Sequence, residues 1–168
     1  MSQASNKVEW CLRKAEKELK ESGKHRGIVK VKPDMEKAEG FINKAERFLR
    51  ATEWLKKGDL SDVSTSTVFY CMYDCLQAIA AKHGYDSRNQ ECTFALIYHL
   101  IEEGSIDFDK EVLEKIASVE SKDEEQTSVS IRERYQYGTE FNVKEDLYKE
   151  LVELAKEVLS KTREIIKT

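Results

Sequence analysis

The sequence predicts an all-α protein, a helical bundle packed around one central helix. The apolar positions of every periodic stretch recur three and four residues apart, and no stretch alternates at two. One Pro and seven Gly in 168 residues, 36% of them charged, describe long helices with little loop. The third observation is the stretch from Val63 to Ala81, whose only formal charge is Asp74. Val68, Phe69, Met72, Leu76 and Ile79 make one helical face there, and Tyr70, Cys71, Cys75, Ala78 and Ala81 fill the others. A helix apolar nearly all round belongs in a core or in a membrane. Polar Ser64 to Thr67, then Asp74 and Gln77, leave no apolar run of ~18 residues, so the core is the expected place and no membrane partner is implied.

In chain order, a first helix is expected after Ser5, with Val8, Cys11, Leu12, Ala15 and Leu19 on one face. It stops at Ser22-Gly23, where glycine takes the left-handed C-terminal cap. Lys24 to Lys32 reads as a basic connector, and its run Gly27-Ile-Val-Lys-Val31 is too short and isolated to make a sheet. Lys32-Pro33-Asp34 opens a second helix, because proline tolerates the first turn and the residue before it resists helix. Ala38, Phe41, Ile42, Ala45, Phe48, Leu49, Thr52 and Leu55 stripe that helix as far as Lys57-Gly58.

Asp59 to Asp62 is expected to cap the central helix, and Gly84-Tyr85 to end it. A shorter helix follows over about Arg88 to Glu103, stopped by Gly104. Asp107 or Asp109 caps another, carrying Val112, Leu113, Ile116 and Val119. Ser121 to Ser130 is acidic and rich in Ser and Thr, and reads as a loop. Ile131 to Gly138 is a short element dense in Arg and Tyr. The last helix opens on Asn142-Val-Lys-Glu145, a capping box with Asn in place of Ser or Thr, and runs on Leu147, Leu151, Leu154, Val158 and Ile165.

The net charge of -4 argues against a dedicated high-affinity nucleic-acid binder, but the charge is unevenly spread. Residues 1–57 carry 15 Lys or Arg against 9 Asp or Glu, and the remainder carries 13 against 23. The most basic segment is Lys20 to Lys32, with five Lys or Arg and one Glu. Cys11, Cys71, Cys75 and Cys92 form no C-x-x-C pair, and His25, His83 and His99 are scattered. Buried reduced thiols, no metal site and no cofactor are therefore expected. With no signal-peptide core in Met-Ser-Gln-Ala-Ser, this points to the cytoplasm.

Bundles build sites from side chains that point inward off facing helices. Here the inward polar groups are Tyr73, Asp74 and Gln77, and Arg132 or Arg134 is the candidate cation. A carboxylate in an apolar helix is costly unless paired, so Asp74 should meet an Arg or several donors. The cluster either fixes helix register or forms a ligand site.

The order of these elements resembles the HEPN domain (higher eukaryotes and prokaryotes nucleotide-binding), of the stand-alone prokaryotic kind. The likeness rests on the charged helix with Lys44-Ala-Glu-Arg-Phe-Leu-Arg-Ala51, then Gly58-Asp-Leu-Ser-Asp62, then the aromatic helix Phe69-Tyr-Cys-Met-Tyr-Asp-Cys-Leu-Gln77. Gly84-Tyr85 and an Arg-containing element before a long last helix complete it. It spans Pro33 to the C-terminus, leaving residues 1–32 as an N-terminal helix and basic connector beside a bundle over 33–168. The resemblance implies an up-and-down four-helix bundle, to which this chain adds its N-terminal helix and short helices. It further implies a homodimer, a minimal nucleotidyltransferase as partner, and a place in a toxin–antitoxin pair.

Active members of that family are metal-independent ribonucleases with Arg, four to six residues, then His. Here Arg132 is followed after four residues by Tyr137, and no histidine follows His99. A phenol of pKa ~10 is a poor general base near neutrality. Tyr137 is instead suited to donating to a phosphate or stacking on a base, with Arg132 or Arg134 gripping phosphate. Three functions follow: a module holding a nucleotide, an RNA or a nucleotidyltransferase, with Arg132, Arg134, Tyr137, Asp74 and Tyr73 as its site; a ribonuclease toxin; or a helical adaptor for another protein.

Overall fold

The computed structural model describes residues 2–120, 139, 143 and 145–168. Among them are α1 (Gln3–Ser22), β1 (Ile28–Lys30), α2 (Met35–Lys57), α3 (Ser61–Lys82), β2 (Tyr85–Ser87), α4 (Gln90–Glu102), α5 (Lys110–Glu120) and α6 (Glu145–Lys167). The loop expected over Ser121 to Ser130, the Arg/Tyr element and the Asn142 cap lie outside the described residues. The fold is an all-α helical bundle.

The central place of α3 follows from its sequence. Phe69, Met72, Leu76 and Ile79 are fully buried, and the helix packs chiefly between α2 and α6. Its polar first turns enter the core because their hydroxyls are satisfied within the chain. Thr65 and Thr67 donate to the carbonyls of Asp62 and Ser64 at 3.0 Å, and Thr67 also bonds Thr52 of α2 at 2.7 Å. Ser61 accepts from the Val143 amide at 2.9 Å, tying the chain before α6 to the start of α3. Side-chain hydroxyls bonded to nearby carbonyls remove most of the penalty of burying them.

Several expected punctuations hold. Gly23 caps α1 with φ 71°. α2 opens next to Lys32-Pro33-Asp34, but Pro33 lies before the helix and not in its first turn, and Asp34 is the cap, its carboxylate accepting from the Lys37 amide at 2.8 Å. Asp109 accepts from the Glu111 amide at the start of α5. Others differ. α1 begins at Gln3, capped by the Ser2 hydroxyl, and not after Ser5. No side chain caps α3: its N-cap is Leu60, and Asp59 turns the chain at φ 60°. α4 does run where expected, from a cap at Asn89, whose side chain accepts from the Cys92 amide.

The expectation of no strand is corrected. β1 pairs antiparallel with β2 in the register Ile28↔Ser87, Val29↔Asp86, Lys30↔Tyr85. The ladder continues outward through Val31 N–H to the Gly84 carbonyl and Arg88 N–H to the Gly27 carbonyl. Three-residue strands are too short for alternation to show, and the partner comes from beyond α2 and α3.

The reading of all four cysteines as reduced is corrected as well. Cys11 of α1 is disulfide-bonded to Cys92 of α4, while Cys71 and Cys75 remain free and buried in α3. The spacing of Cys11 and Cys92 carried no signal because their closeness depends on how α1 lies across α4.

Candidate functional site

The polar stripe of α3 divides into two sites. Tyr73 and Gln77 turn toward β2 and α4. The Gln77 amide donates to the Tyr73 hydroxyl at 3.0 Å and to the Ser87 carbonyl at 3.2 Å. The Tyr73 hydroxyl lies 3.1 Å from the Thr93 hydroxyl, which donates to the Asn89 carbonyl at 2.8 Å. Thr93 can then accept from both Tyr73 and Ser87, the latter 2.7 Å away. This network fixes the turn from β2 into α4, and the Tyr73 ring stacks on Phe69 at 6.0 Å.

Asp74 has no share in it. The residue is 6% exposed, and its Oδ2 has no hydrogen-bond partner among the described residues. Burial pushes its carboxyl up to about 6, against a weaker opposing pull from Lys44 on α2. The pairing expected for Asp74 is therefore absent among the described residues. Arg132, Arg134 and Tyr137, the other expected members, lie outside them. Thus the stripe is no single cluster among the described residues: Tyr73 and Gln77 hold structure, and the Asp74 Oδ2 is left without a hydrogen-bond partner there.

Toward its N-terminal end, the surface of α3 keeps apolar side chains in water. Val63 is 46% exposed and Tyr70 36%, with Leu60 exposed just before the helix. The Tyr70 ring contacts Phe48 of α2 at 5.6 Å and Phe69 at 5.8 Å.

A second charged cluster, which sequence reading missed, forms where the ribbon meets α2. Asp86 of β2 accepts from Lys37 at 2.8 Å and meets His25 Nε2 at 3.0 Å and Arg88 Nε at 3.3 Å. Burial works to raise the Asp86 carboxyl, but the Lys37 and His25 hydrogen bonds and the nearby charges outweigh it and hold it below its ordinary range. His25 is buried, and its Nδ1 has no partner among the described residues. The signal for this cluster existed only in the β1–β2 register, which seats Asp86 opposite Val29.

Among the described residues, no three His, Cys, Asp or Glu side chains gather as metal ligands. No described helix is long and apolar enough to cross a membrane. No curated protein matches the chain. The family model described as HEPN domain matches residues 38–165, which takes in α3, the long helices on either side of it, and Asp74. With most of its length so matched and its helices packed about α3, the chain belongs to the HEPN domain family.

Proposed function

We propose that this protein is a HEPN-class binding module that holds a nucleotide or an RNA strand at the face bearing Asp74. The observation that carries this reading is the buried Asp74 carboxyl, whose Oδ2 has no hydrogen-bond partner among the described residues. Such a group lowers stability, so packing alone gives no reason for it in the most apolar helix of the chain. A ligand that donates to it does.

An aspartate accepts at both oxygens, which suits the imino and amino donors on the edge of a base. Tyr70, partly exposed on the same helix and packed against Phe48 and Phe69, places an aromatic side chain on this face. In this reading Arg132 or Arg134 grips the phosphate, Tyr137 adds a second ring or a hydroxyl donor, and Tyr73 positions the helix from behind. With Tyr137 where active relatives carry histidine, binding is favoured over ribonuclease chemistry.

The setting we propose is a homodimer working beside a minimal nucleotidyltransferase in a toxin–antitoxin-type pair. Val63 and Tyr70 support α3 as part of the contact, because a second copy would cover them. Residues 1–32 act as an appendage on the bundle formed by 33–168.

Titration with mononucleotides and short RNA tests this reading. Arg132→Ala should weaken binding by about 1.5–3 kcal/mol, the worth of a charge-assisted hydrogen bond. Asp74→Asn should weaken it as well, and Tyr137→Phe by less than Arg132→Ala. Binding that ignores both Arg132→Ala and Asp74→Asn would overturn the assignment of this face. No binding at all would favour the adaptor.

A further inference from the structure

α1 and the residues just before β1 precede the matched residues, yet they build a cavity against the bundle. It has a volume of about 450 Å³ and is lined by Trp10 and Lys14 of α1, Arg26 before β1, Arg88 after β2, and the first residues of α4. Four features set it apart from an ordinary solvated surface.

The first is positive charge in excess of the acids that meet it. Three other cations of α1 sit beside acids one turn away, in Arg13–Glu9, Lys17–Glu21 and Lys20–Glu16. Among the described residues, the Arg26 guanidinium has no carboxylate within 4.0 Å, although its backbone N–H donates to Glu18. Arg88 shares the single carboxylate of Asp86 with Lys37 and His25. Lys14 reaches Glu18 only at 4.0 Å. The one acid in the lining, Glu91, is drawn aside to Lys7 at 3.2 Å.

The second is Trp10, a large ring left 46% exposed among these cations. The ammonium groups of Lys7 and Lys14 lie 4.6 and 5.1 Å from its centroid. Both ammonium groups lie over the ring, and a flat base carrying phosphate would stack there by displacing one of them toward the phosphate.

The third is the opening of α4, whose residues Asn89, Gln90 and Glu91 lie in the cavity wall. Helix N-termini present backbone amides and a favourable dipole to anions. The fourth is rigidity. Cys11 and Cys92 line the cavity and are bonded to each other, and the Tyr73–Thr93–Ser87 network fixes the turn that carries Arg88. Gly27 allows the close approach, since a Cβ there would lie 3.0 Å from the Cys11 carbonyl oxygen and 3.2 Å from Ala15 Cβ.

We propose that this cavity binds a nucleoside 5′-phosphate, with Arg26 and Arg88 on the phosphate and Trp10 stacked on the base. The phosphate belongs either to a free mononucleotide or to the 5′ end of an RNA strand. The site is separate from the Asp74 face and stands or falls independently of it.

The test uses the full, oxidised chain carrying Trp54→Phe, which leaves Trp10 as the single tryptophan. Its fluorescence is followed at low salt during titration with uridine 5′-monophosphate, a 5′-phosphorylated uridine tetramer, the same tetramer with a 5′-hydroxyl, and inorganic phosphate. The phosphorylated tetramer or the mononucleotide should quench Trp10, and Arg26→Ala and Arg88→Ala should each weaken that binding roughly tenfold or more. Both arginines are exposed, and circular dichroism should show these variants folded as the parent is. Tighter binding of the phosphorylated tetramer than of the mononucleotide assigns the site to a strand end, and equal binding assigns it to a free nucleotide. Equal binding of the phosphorylated and hydroxyl tetramers would overturn the proposal. So would the absence of any quench, or a quench abolished by Asp74→Asn and indifferent to Arg26→Ala.

Discussion

Cys11 of α1 is bonded to Cys92 of α4, 81 residues further along the chain. The bond pins the N-terminal helix, which lies outside the matched HEPN residues, to the body of the bundle. Closing so long a loop removes entropy from the unfolded chain, worth at most about 4–5 kcal/mol. Two thiols, those of Cys71 and Cys75, should titrate in denaturant without reductant, and four after reduction. The double change Cys11→Ser and Cys92→Ser should lower the urea midpoint. It should also speed hydrogen exchange in α1 before α3, and exchange in α1 no faster than in the parent would refute the pinning role.

Asp74 should make stability depend on pH. Its carboxyl titrates at about 6 in the folded protein, above its ordinary value, so the folded state binds this proton more tightly than the unfolded chain. The group's contribution is therefore most favourable below the ordinary carboxylate range and is lost as pH rises through about 6. The loss should be no more than about 2–3 kcal/mol. Asp74→Asn should flatten the stability profile between about pH 4 and pH 6 in denaturant titrations. A parallel profile in wild type and variant would show that Asp74 is not held protonated.

Tyr73→Phe should weaken the link between α3 and the start of α4. The hydroxyl accepts from Gln77 and meets Thr93, so its removal leaves both groups short of a partner. A loss of about 1–2 kcal/mol is expected, with an unchanged denaturant m-value. A variant as stable as wild type would mean that Gln77 and Thr93 find other partners.

Two glycines should respond in opposite directions. Gly84 has φ 81°, and a Cβ there would lie 2.8 Å from the Val31 carbonyl oxygen, so Gly84→Ala should cost more than about 1 kcal/mol. Gly40 sits within α2 with nothing within 4 Å of an added Cβ. Gly40→Ala should therefore stabilise by about 0.5–1 kcal/mol. Thermal melts of the two variants check both signs.

The helices and their centre follow from local pattern. Val68 to Ile79 recur at helical spacing in a stretch almost free of charge, and that local pattern demands burial whatever surrounds it. The cap at Gly23 was legible for the same reason, since it acts within one turn of its own residue. What tertiary structure alone decided are the relationships across distance. The β1–β2 register, the Cys11–Cys92 bond and the meeting of Tyr73 with Thr93 each join segments whose own sequences fit other partners equally well. Asp74 shows the division most plainly. Its place on an apolar helix was readable, but whether a cation met it depended on which neighbours the packing brought near. Among the described residues, packing left its Oδ2 without one.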